Sequence, residues 1–372
     1  MHMSGVPALI RSERFLVVSA LTTFAFFMFG DTLLEGLSNL YRLALIFFWL
    51  FSVVLGSALA VVRHAERLAE RFGEPYGTLI LTLCITSIEV VSITAIMLHG
   101  ANNPTLARDT LFAVTMIVLN GMVGLSLLLG GWRYREQSYN LHGANTYLGV
   151  IIPLGVFCLV LPDFTVTTPG PMLSSAQKIF VALVSLGLYV AFLFMQASRH
   201  RAYFAARPDG DELHVARIDP VEIPVFRHVV LLAIYMVLVV YLAEKLAPPV
   251  DYVVETMGKP AALAGLTMAI LVATPEIIGA VRAALRNNLQ RSMNIFLGSV
   301  LSTIGLTIPA IIVISEVTQH PIRLGLEHTD LLLFVLTLAL CMVTFSSGRT
   351  NILQGGVHLI LFVAYLFLIF QG

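Results

Sequence analysis

The sequence predicts an all-α polytopic membrane protein that crosses the bilayer about eleven times. Of its 372 residues, 58% are hydrophobic and only 12% are charged, whereas a soluble domain carries about 25% charged residues. Hydrophobic runs recur from one end of the chain to the other, and a single buried core cannot absorb that much apolar surface. A soluble enzyme is therefore excluded, and most of the apolar surface is expected to face lipid.

Eleven apolar stretches lie between charged or Pro/Gly-rich breaks, and a helix needs roughly 20 residues to cross a bilayer core. The first, fifth, seventh and tenth stretches are shorter, so we expect those helices to extend further or to pack inside the bundle. The predicted spans are residues 15–29, 43–62, 76–98, 110–130, 147–161, 179–197, 229–243, 261–285, 293–314, 331–345 and 352–370.

The distribution of basic residues indicates the orientation of these spans. Lys and Arg near helix ends are retained on the cytoplasmic side, and most of the 22 basic residues fall there if the N-terminus is cytoplasmic. The first apolar run has no small-residue cleavage pattern, so we predict an uncleaved helix rather than a signal peptide. Because 22 acidic residues balance the basic ones, no charge excess favours a nucleic-acid partner.

A duplicated helix pair predicts an inverted repeat. Glu89 and Glu276 each lie near the middle of a long apolar helix, and the following helix carries an Asn four residues before a Gly, at Asn120 and Asn294. Equivalent helices are five spans apart, and an odd offset inverts the second copy. The predicted organisation is an N-terminal tail and leading helix (1–42), a first five-helix repeat (43–197), a cytoplasmic acidic linker (198–228) and a second five-helix repeat (229–372).

The two glutamates predict a cation or proton site near the middle of the membrane. An ionised carboxylate at bilayer depth is costly and is retained only if it is paired, protonated or exposed to a water-filled cavity. Neither helix carries a Lys or Arg at comparable depth. Carboxylate oxygens suit hard cations such as Ca²⁺, and a cation and protons that compete for the same carboxylates permit antiport. The alternative is a pair of neutral glutamates that are hydrogen-bonded within the bundle.

Polar neighbours of the glutamates are candidates for a supporting role. Thr82, Thr86 and Glu89 form one stripe on their helix, and Pro275 removes a backbone donor, which frees carbonyls in the preceding turn. Amides and hydroxyls near the two glutamates could line a cavity, or could instead pack or bond to their own helix. The predicted supporting residues are Thr82, Thr86, Ser87, Asn120, Thr274, Pro275, Asn294, Ser299 and Ser302.

The paired blocks around the two glutamates resemble those of bacterial calcium/proton antiporters of the calcium/cation antiporter superfamily. The blocks are Thr-Ser-Ile-Glu ending at Glu89 and Ala-Thr-Pro-Glu ending at Glu276. The resemblance covers nearly the whole chain and implies an eleven-helix fold with these glutamates as cation and proton ligands. It implies transport of Ca²⁺ and H⁺, with Na⁺ or K⁺ as alternatives, and no cofactor. The first repeat has Ile88 where the second has Pro275, so a helix break is less expected there.

Other functions share some of these features. A cation channel with a carboxylate filter would also place charges at the midplane, but it does not require inverted halves. An intramembrane enzyme is disfavoured because motifs such as His-Glu-x-x-His and Gly-x-Ser-x-Gly are missing from the sequence. We interpret His358 either as a packed core histidine or as a proton relay. The expected location is the inner (plasma) membrane, with inorganic cations, protons and lipid as partners; a homo-oligomer is compatible with the sequence.

Overall fold

Eleven apolar helices form the described part of the chain. A computed structural model describes residues 13–72, 76–99, 104–165, 172–205 and 225–371. Within these residues, nine helices are long and apolar enough to cross a membrane, and two shorter apolar helices bring the number to eleven. The predicted fold class is therefore confirmed, with one small addition in the form of a two-stranded ribbon.

The helices extend beyond most of the predicted limits. The first, fifth and seventh apolar stretches belong to helices of 21, 24 and 32 residues, whereas the tenth helix keeps only 17 residues. The helices are α1 (Arg14–Leu34), α2 (Leu40–Phe72), α3 (Tyr76–His99), α4 (Leu106–Tyr134), α5 (Leu141–Phe164), α6 (Ser175–Ala197), α7 (Val225–Thr256), α8 (Ala262–Leu285), α9 (Leu289–Thr318), α10 (His328–Thr344) and α11 (Ile352–Gln371).

The backbone irregularities lie elsewhere than the sequence predicts. Helix α8 continues through Pro275 without interruption. Instead, the hydrogen bonding widens to π-helix in the middle of α4 (Ile117–Met122) and of α9 (Thr303–Thr307), and further π segments lie in α5 and at the end of α7. Single-turn π segments are frequent at functional sites. In each predicted repeat, the helix that follows the glutamate therefore contains a π segment in its middle.

The chain forms two compact units, and each contains helices from both predicted repeats. The first unit contains α1, α2, α3, α7 and the part of α8 up to Val272. The second contains α4, α5, α6, α9, α10, α11 and the rest of α8 from Ala273. The acidic residues of the predicted linker lie outside the described residues, and α7 already begins at Val225.

In the first unit, buried polar contacts join the leading helix to its neighbours. Helix α1 packs against α2 and α7. The Glu13 carboxylate accepts hydrogen bonds from Arg63 Nη2 at 2.6 Å and from the hydroxyl of Tyr235 at 3.1 Å. Further along, the hydroxyls of Ser19 and Ser57 are 2.6 Å apart. These contacts tie α1 to the rest of its unit.

In the second unit, the segments that connect successive helices lie alternately at one end of the helices and at the other. At one end, the strands β1 (Glu136–Ser138) and β2 (Arg349–Asn351) pair antiparallel, and Gln137 Nε2 donates to the Ala284 carbonyl at 2.8 Å. These contacts join the connections after α4 and α10 to the last turn of α8. At the other end, the backbone N–H of Arg323 donates to the Pro104 carbonyl at 2.8 Å, which joins the connections after α3 and α9. This alternation is expected when each helix crosses the unit once.

Glycines allow α4 and α11 to cross closely in the second unit. A Cβ atom on Gly355 would overlap the backbone nitrogen of Leu128 and lie 2.9 Å from the carbonyl oxygen of Gly124. Such small residues let helix backbones approach each other in membranes. The same crossing brings His358 of α11 beside Asn120 of α4.

We expect Gly355→Ala to lower the free energy of unfolding by about 1–3 kcal/mol, because the new methyl group must displace backbone. Gly356→Ala is the matched control, because a Cβ there has no heavy atom within 4 Å. Thermal unfolding of both variants in detergent measures the effect. Equal melting temperatures for the two variants would show that the close crossing does not stabilise the unit.

Candidate functional site

Glu89 lies in the middle of α3 and is almost completely buried. Only 1% of its surface is exposed, and Thr86 and Ser92, three residues before and after it, are also buried. Residues three apart share one face of a helix, so these three side chains form a polar stripe. Among the described residues, the hydroxyls of Thr86 and Ser92 have no hydrogen-bond partner. Two unsatisfied buried oxygens beside a carboxylate fit an ion or water as a further ligand.

The other predicted residues of α3 are placed differently. Thr82 is half-buried, whereas Ser87 is exposed and its hydroxyl donates to the Leu83 carbonyl of its own helix at 2.6 Å. Ser87 therefore faces away from the stripe that carries Glu89. Ser92 was not among the predicted residues, although its helical spacing from Glu89 would have identified it.

In the second unit, Glu276 is held by a hydroxyl of the neighbouring helix. Ser299 of α9 donates a hydrogen bond to Glu276 Oε2, and Ser299 is buried. Pro275 is buried and Thr274 half-buried in the same turn of α8. Ser302 donates to the Ser299 carbonyl at 2.9 Å, so it supports the helix turn that carries Ser299. The structure thus brings together two of the residues predicted from the sequence.

Asn120 belongs to a buried polar network within the π segment of α4. Its Nδ2 donates to Thr337 Oγ1 of α10 at 2.8 Å, and its Oδ1 lies 3.2 Å from His358 Nδ1 of α11. None of its surface is exposed. Three helices of the second unit therefore fix the orientation of this amide.

Asn294 does not occupy the corresponding position in α9. It lies in the second turn, where its Nδ2 donates to the Phe204 carbonyl at 2.7 Å and its Oδ1 accepts from Gln290 Nε2 at 3.1 Å. The π segment of α9 instead contains Thr307, which follows Glu276 by the same number of residues as Asn120 follows Glu89. The spacing from the glutamates, rather than the Asn and Gly pattern, relates the two helices.

No group of three or more His, Cys, Asp or Glu side chains that could hold a metal ion is found in the described part of the chain. The candidate ligands are the single carboxylates of Glu89 and Glu276 and the hydroxyls beside them. Oxygen donors of this kind suit hard cations such as Ca²⁺.

Comparisons with known proteins identify the family of the chain. Residues 42–198 and 227–371 match the sodium/calcium exchanger protein family. The sodium-potassium/proton antiporter ChaA of Escherichia coli (strain K12) is 40% identical over 321 residues, which cover 85% of this chain and 86% of that protein. The Ca²⁺/H⁺ antiporter ChaA of Bacillus subtilis (strain 168) is 23% identical over 323 residues, with 84% and 90% covered.

The fold is similar to that of a solved structure as well. The structure of native YfkE superimposes with a TM-score of 0.74 at 20% sequence identity and covers 96% of this chain and 100% of its own. At this identity the likeness concerns the fold alone. Together with the family match over most of the sequence, these findings show that the chain belongs to the sodium/calcium exchanger protein family and is a membrane transporter rather than an enzyme.

Proposed function

We propose that the chain is a cation/proton antiporter in which Glu89 and Glu276 bind either the transported cation or protons. The observation that carries this proposal is the nearly complete burial of Glu89 in the middle of a membrane helix, between two buried hydroxyls without described partners. The hydrogen bond from Ser299 to Glu276 gives the second carboxylate a fixed orientation. The names of the two relatives, both antiporters of cations and protons, agree with this assignment.

Burial explains how exchange can be coupled. A buried carboxylate that holds neither a proton nor a cation leaves an uncompensated charge, which is strongly unfavourable within the membrane. The buried Glu89 is therefore occupied by one or the other, and so is the half-buried Glu276 whenever water is excluded from it. Loading with protons on one side of the membrane and with a cation on the other then gives antiport by alternating access. The two predicted inverted repeats supply the symmetry that such a cycle commonly uses.

Two candidates remain for the cation. Carboxylate and hydroxyl oxygens are ligands of the kind that Ca²⁺ prefers; Ca²⁺ is therefore our first candidate. The second is Na⁺ or K⁺, which the name of the 40% identical relative favours. The distribution of basic residues in the sequence favours a cytoplasmic N-terminus. Export of the cation from the cytoplasm across the inner membrane is part of the proposal.

Proton movement in proteoliposomes tests the proposal. Purified protein is reconstituted with an acidic interior and a pH-sensitive dye, and Ca²⁺, Na⁺ or K⁺ is added outside in separate experiments. We expect cation-dependent loss of internal protons, with Ca²⁺ effective at the lowest concentration. If Na⁺ or K⁺ releases protons at a lower concentration than Ca²⁺ does, the transported cation is a monovalent ion. Cation flux without proton movement would indicate a channel, and no response to any ion would disprove antiport.

A further inference from the structure

Eight exposed arginines lie at the end of the second unit that carries the two-stranded ribbon, and we call this cluster the basic end. They come from the ends of α4, α6 and α8, the start of α9 and strand β2. The arginines are Arg133, Arg135, Arg199, Arg201, Arg282, Arg286, Arg291 and Arg349. In the described part of the chain, Glu136 is the one acidic residue of the same segments, and it lies 3.7 Å from Arg349. Eight positive charges and one negative charge give the basic end a net charge of +7.

Hydrogen bonds between the connecting segments hold these arginines at one end of the helices. The Tyr134 hydroxyl donates to the Leu285 carbonyl at 2.9 Å, which joins the end of α4 to the end of α8. The backbone N–H of Asn140 donates to Gln290 Oε1 at 2.7 Å, and its Nδ2 donates to the Ala202 carbonyl at 3.3 Å. These two contacts join the start of α5 to α9 and to the segment after α6. The cluster is therefore assembled by the fold from distant parts of the sequence.

The opposite end of the second unit has a different charge pattern. Its described basic residues are Arg108, Lys178 and Arg323, and its described acidic residues are Asp109, Asp163, Glu316, Glu327 and Asp330. Arg108 pairs with Asp109 at 2.8 Å, and Lys178 pairs with Glu316 at 2.6 Å. Positive charge is therefore concentrated at one end of the unit, where it is exposed.

Exposed apolar side chains beside the arginines indicate that the basic end lies at the level of the lipid headgroups. Trp132, next to Arg133 in the last turn of α4, is 80% exposed, and Leu353, in the first turn of α11, is 73% exposed. Tryptophan is enriched where a membrane helix meets the headgroups. Guanidinium groups bind phosphate oxygens through paired N–H donors, and clusters of Lys and Arg just outside membrane helices attract anionic lipids.

The acidic segment that follows α6 cannot neutralise the basic end. Residues 206–224, which lie outside the described residues, contain five acidic residues and two arginines and so have a net charge of −3. Full contact with this segment would still leave an excess of positive charge. A bilayer that contains anionic lipid supplies a phosphate to every arginine that lies at its surface.

We propose that the basic end binds the phosphate headgroups of anionic phospholipids, with Arg133 and Arg135 forming the part of the site beside Trp132. The inference is independent of the proposed antiport function, because it concerns lipid and not the transported ion. Since the arginines are exposed, salt should screen the attraction. Phosphatidylglycerol, which is anionic, should therefore bind in preference to phosphatidylcholine, which has no net charge.

Quenching of Trp132 fluorescence by brominated lipid measures this preference directly. The chain contains two tryptophans, so Trp49→Phe leaves Trp132 as the single reporter. This protein is reconstituted in bilayers that mix brominated phosphatidylcholine with unbrominated phosphatidylglycerol. Phosphatidylglycerol bound at the basic end displaces the quencher, and the recovered fluorescence gives the relative binding constant. We expect phosphatidylglycerol to bind about three- to tenfold more tightly at low salt, and the two lipids to bind nearly equally at about 1 M salt.

Variants with opposite expected results provide the controls. Arg133→Gln combined with Arg135→Gln removes the two arginines next to the reporter, and it should bring the binding ratio to within about twofold of one. Arg323→Gln removes an exposed arginine at the opposite end of the same unit, and it should keep the original ratio. Trp132→Phe leaves Trp49 of α2 as the reporter, which should show no preference between the two lipids.

Three results would overturn the proposal: equal binding of the two lipids at Trp132, a preference that persists at high salt or in the double arginine variant, or the same preference at Trp49. Equal binding is also the result expected if residues 206–224 covered the arginines. Inorganic phosphate, added at constant ionic strength, should leave the preference unchanged. If it abolishes the preference, the basic end binds free phosphate and not lipid. The salt dependence requires no arginine variant, so this test stands even if the double variant fails to fold.

Discussion

Substitution of Glu89 by Gln, or of Glu276 by Gln, is expected to reduce cation-driven proton release to background. Glutamine preserves the size of the side chain but neither binds a proton at neutral pH nor supplies charge to a cation. Removal of one partner from a buried charge pair costs about 3–5 kcal/mol, which corresponds to more than about a hundredfold in cation affinity. The dye assay in proteoliposomes measures the effect for each variant and for the double variant.

An acidic residue outside the candidate site provides the control. Glu316 is half exposed and pairs with Lys178 at 2.6 Å, and an exposed pair contributes only about 0–1 kcal/mol. Glu316→Gln should therefore exchange ions like the wild type. If the double variant at Glu89 and Glu276 still exchanged cations for protons at the wild-type rate, the proposed mechanism would be wrong.

The helices were predictable because the bilayer imposes a simple pattern on the sequence. Long apolar stretches and charged breaks identify all eleven helices. The contacts of β1 with β2 and with the last turn of α8 agree with helices that run in alternating directions. The ends of the helices were less predictable. Helix α5 begins at Leu141, several residues before its apolar stretch, because the Asn140 side chain caps it by accepting from the backbone N–H of His142.

The candidate site was predictable in its carboxylates but less so in its surroundings. A glutamate in an apolar helix stands out in the sequence, as Glu89 and Glu276 do. In contrast, no residue type in the sequence predicts the π segment of α4, because this segment depends on how the backbone hydrogen bonds are shared. The Asn and Gly pattern suggested that Asn294 matches Asn120, yet Asn294 binds the Phe204 carbonyl. Contacts between distant parts of the chain, such as His358 with Asn120, require the fold itself.

The hydrogen bond between Ser299 and Glu276 supports a second large effect. A hydrogen bond to a charged group contributes about 1.5–3 kcal/mol, so Ser299→Ala is expected to lower the apparent affinity for the cation by about ten- to a hundredfold. The maximal rate should change less, because the carboxylate itself remains able to exchange its proton. Initial rates of proton release, measured against cation concentration, separate the two quantities.

The same helix offers a matched serine for comparison. Ser292 of α9 is completely buried, and its hydroxyl has no partner among the described residues. Ser292→Ala removes the same oxygen atom from the same helix without touching Glu276, so it should leave the affinity within about twofold of the wild type, as expected for an unpartnered hydroxyl. A loss of affinity in Ser299→Ala alone would assign the effect to the orientation of the Glu276 carboxylate. Equal losses in both variants would instead assign it to the packing of α9.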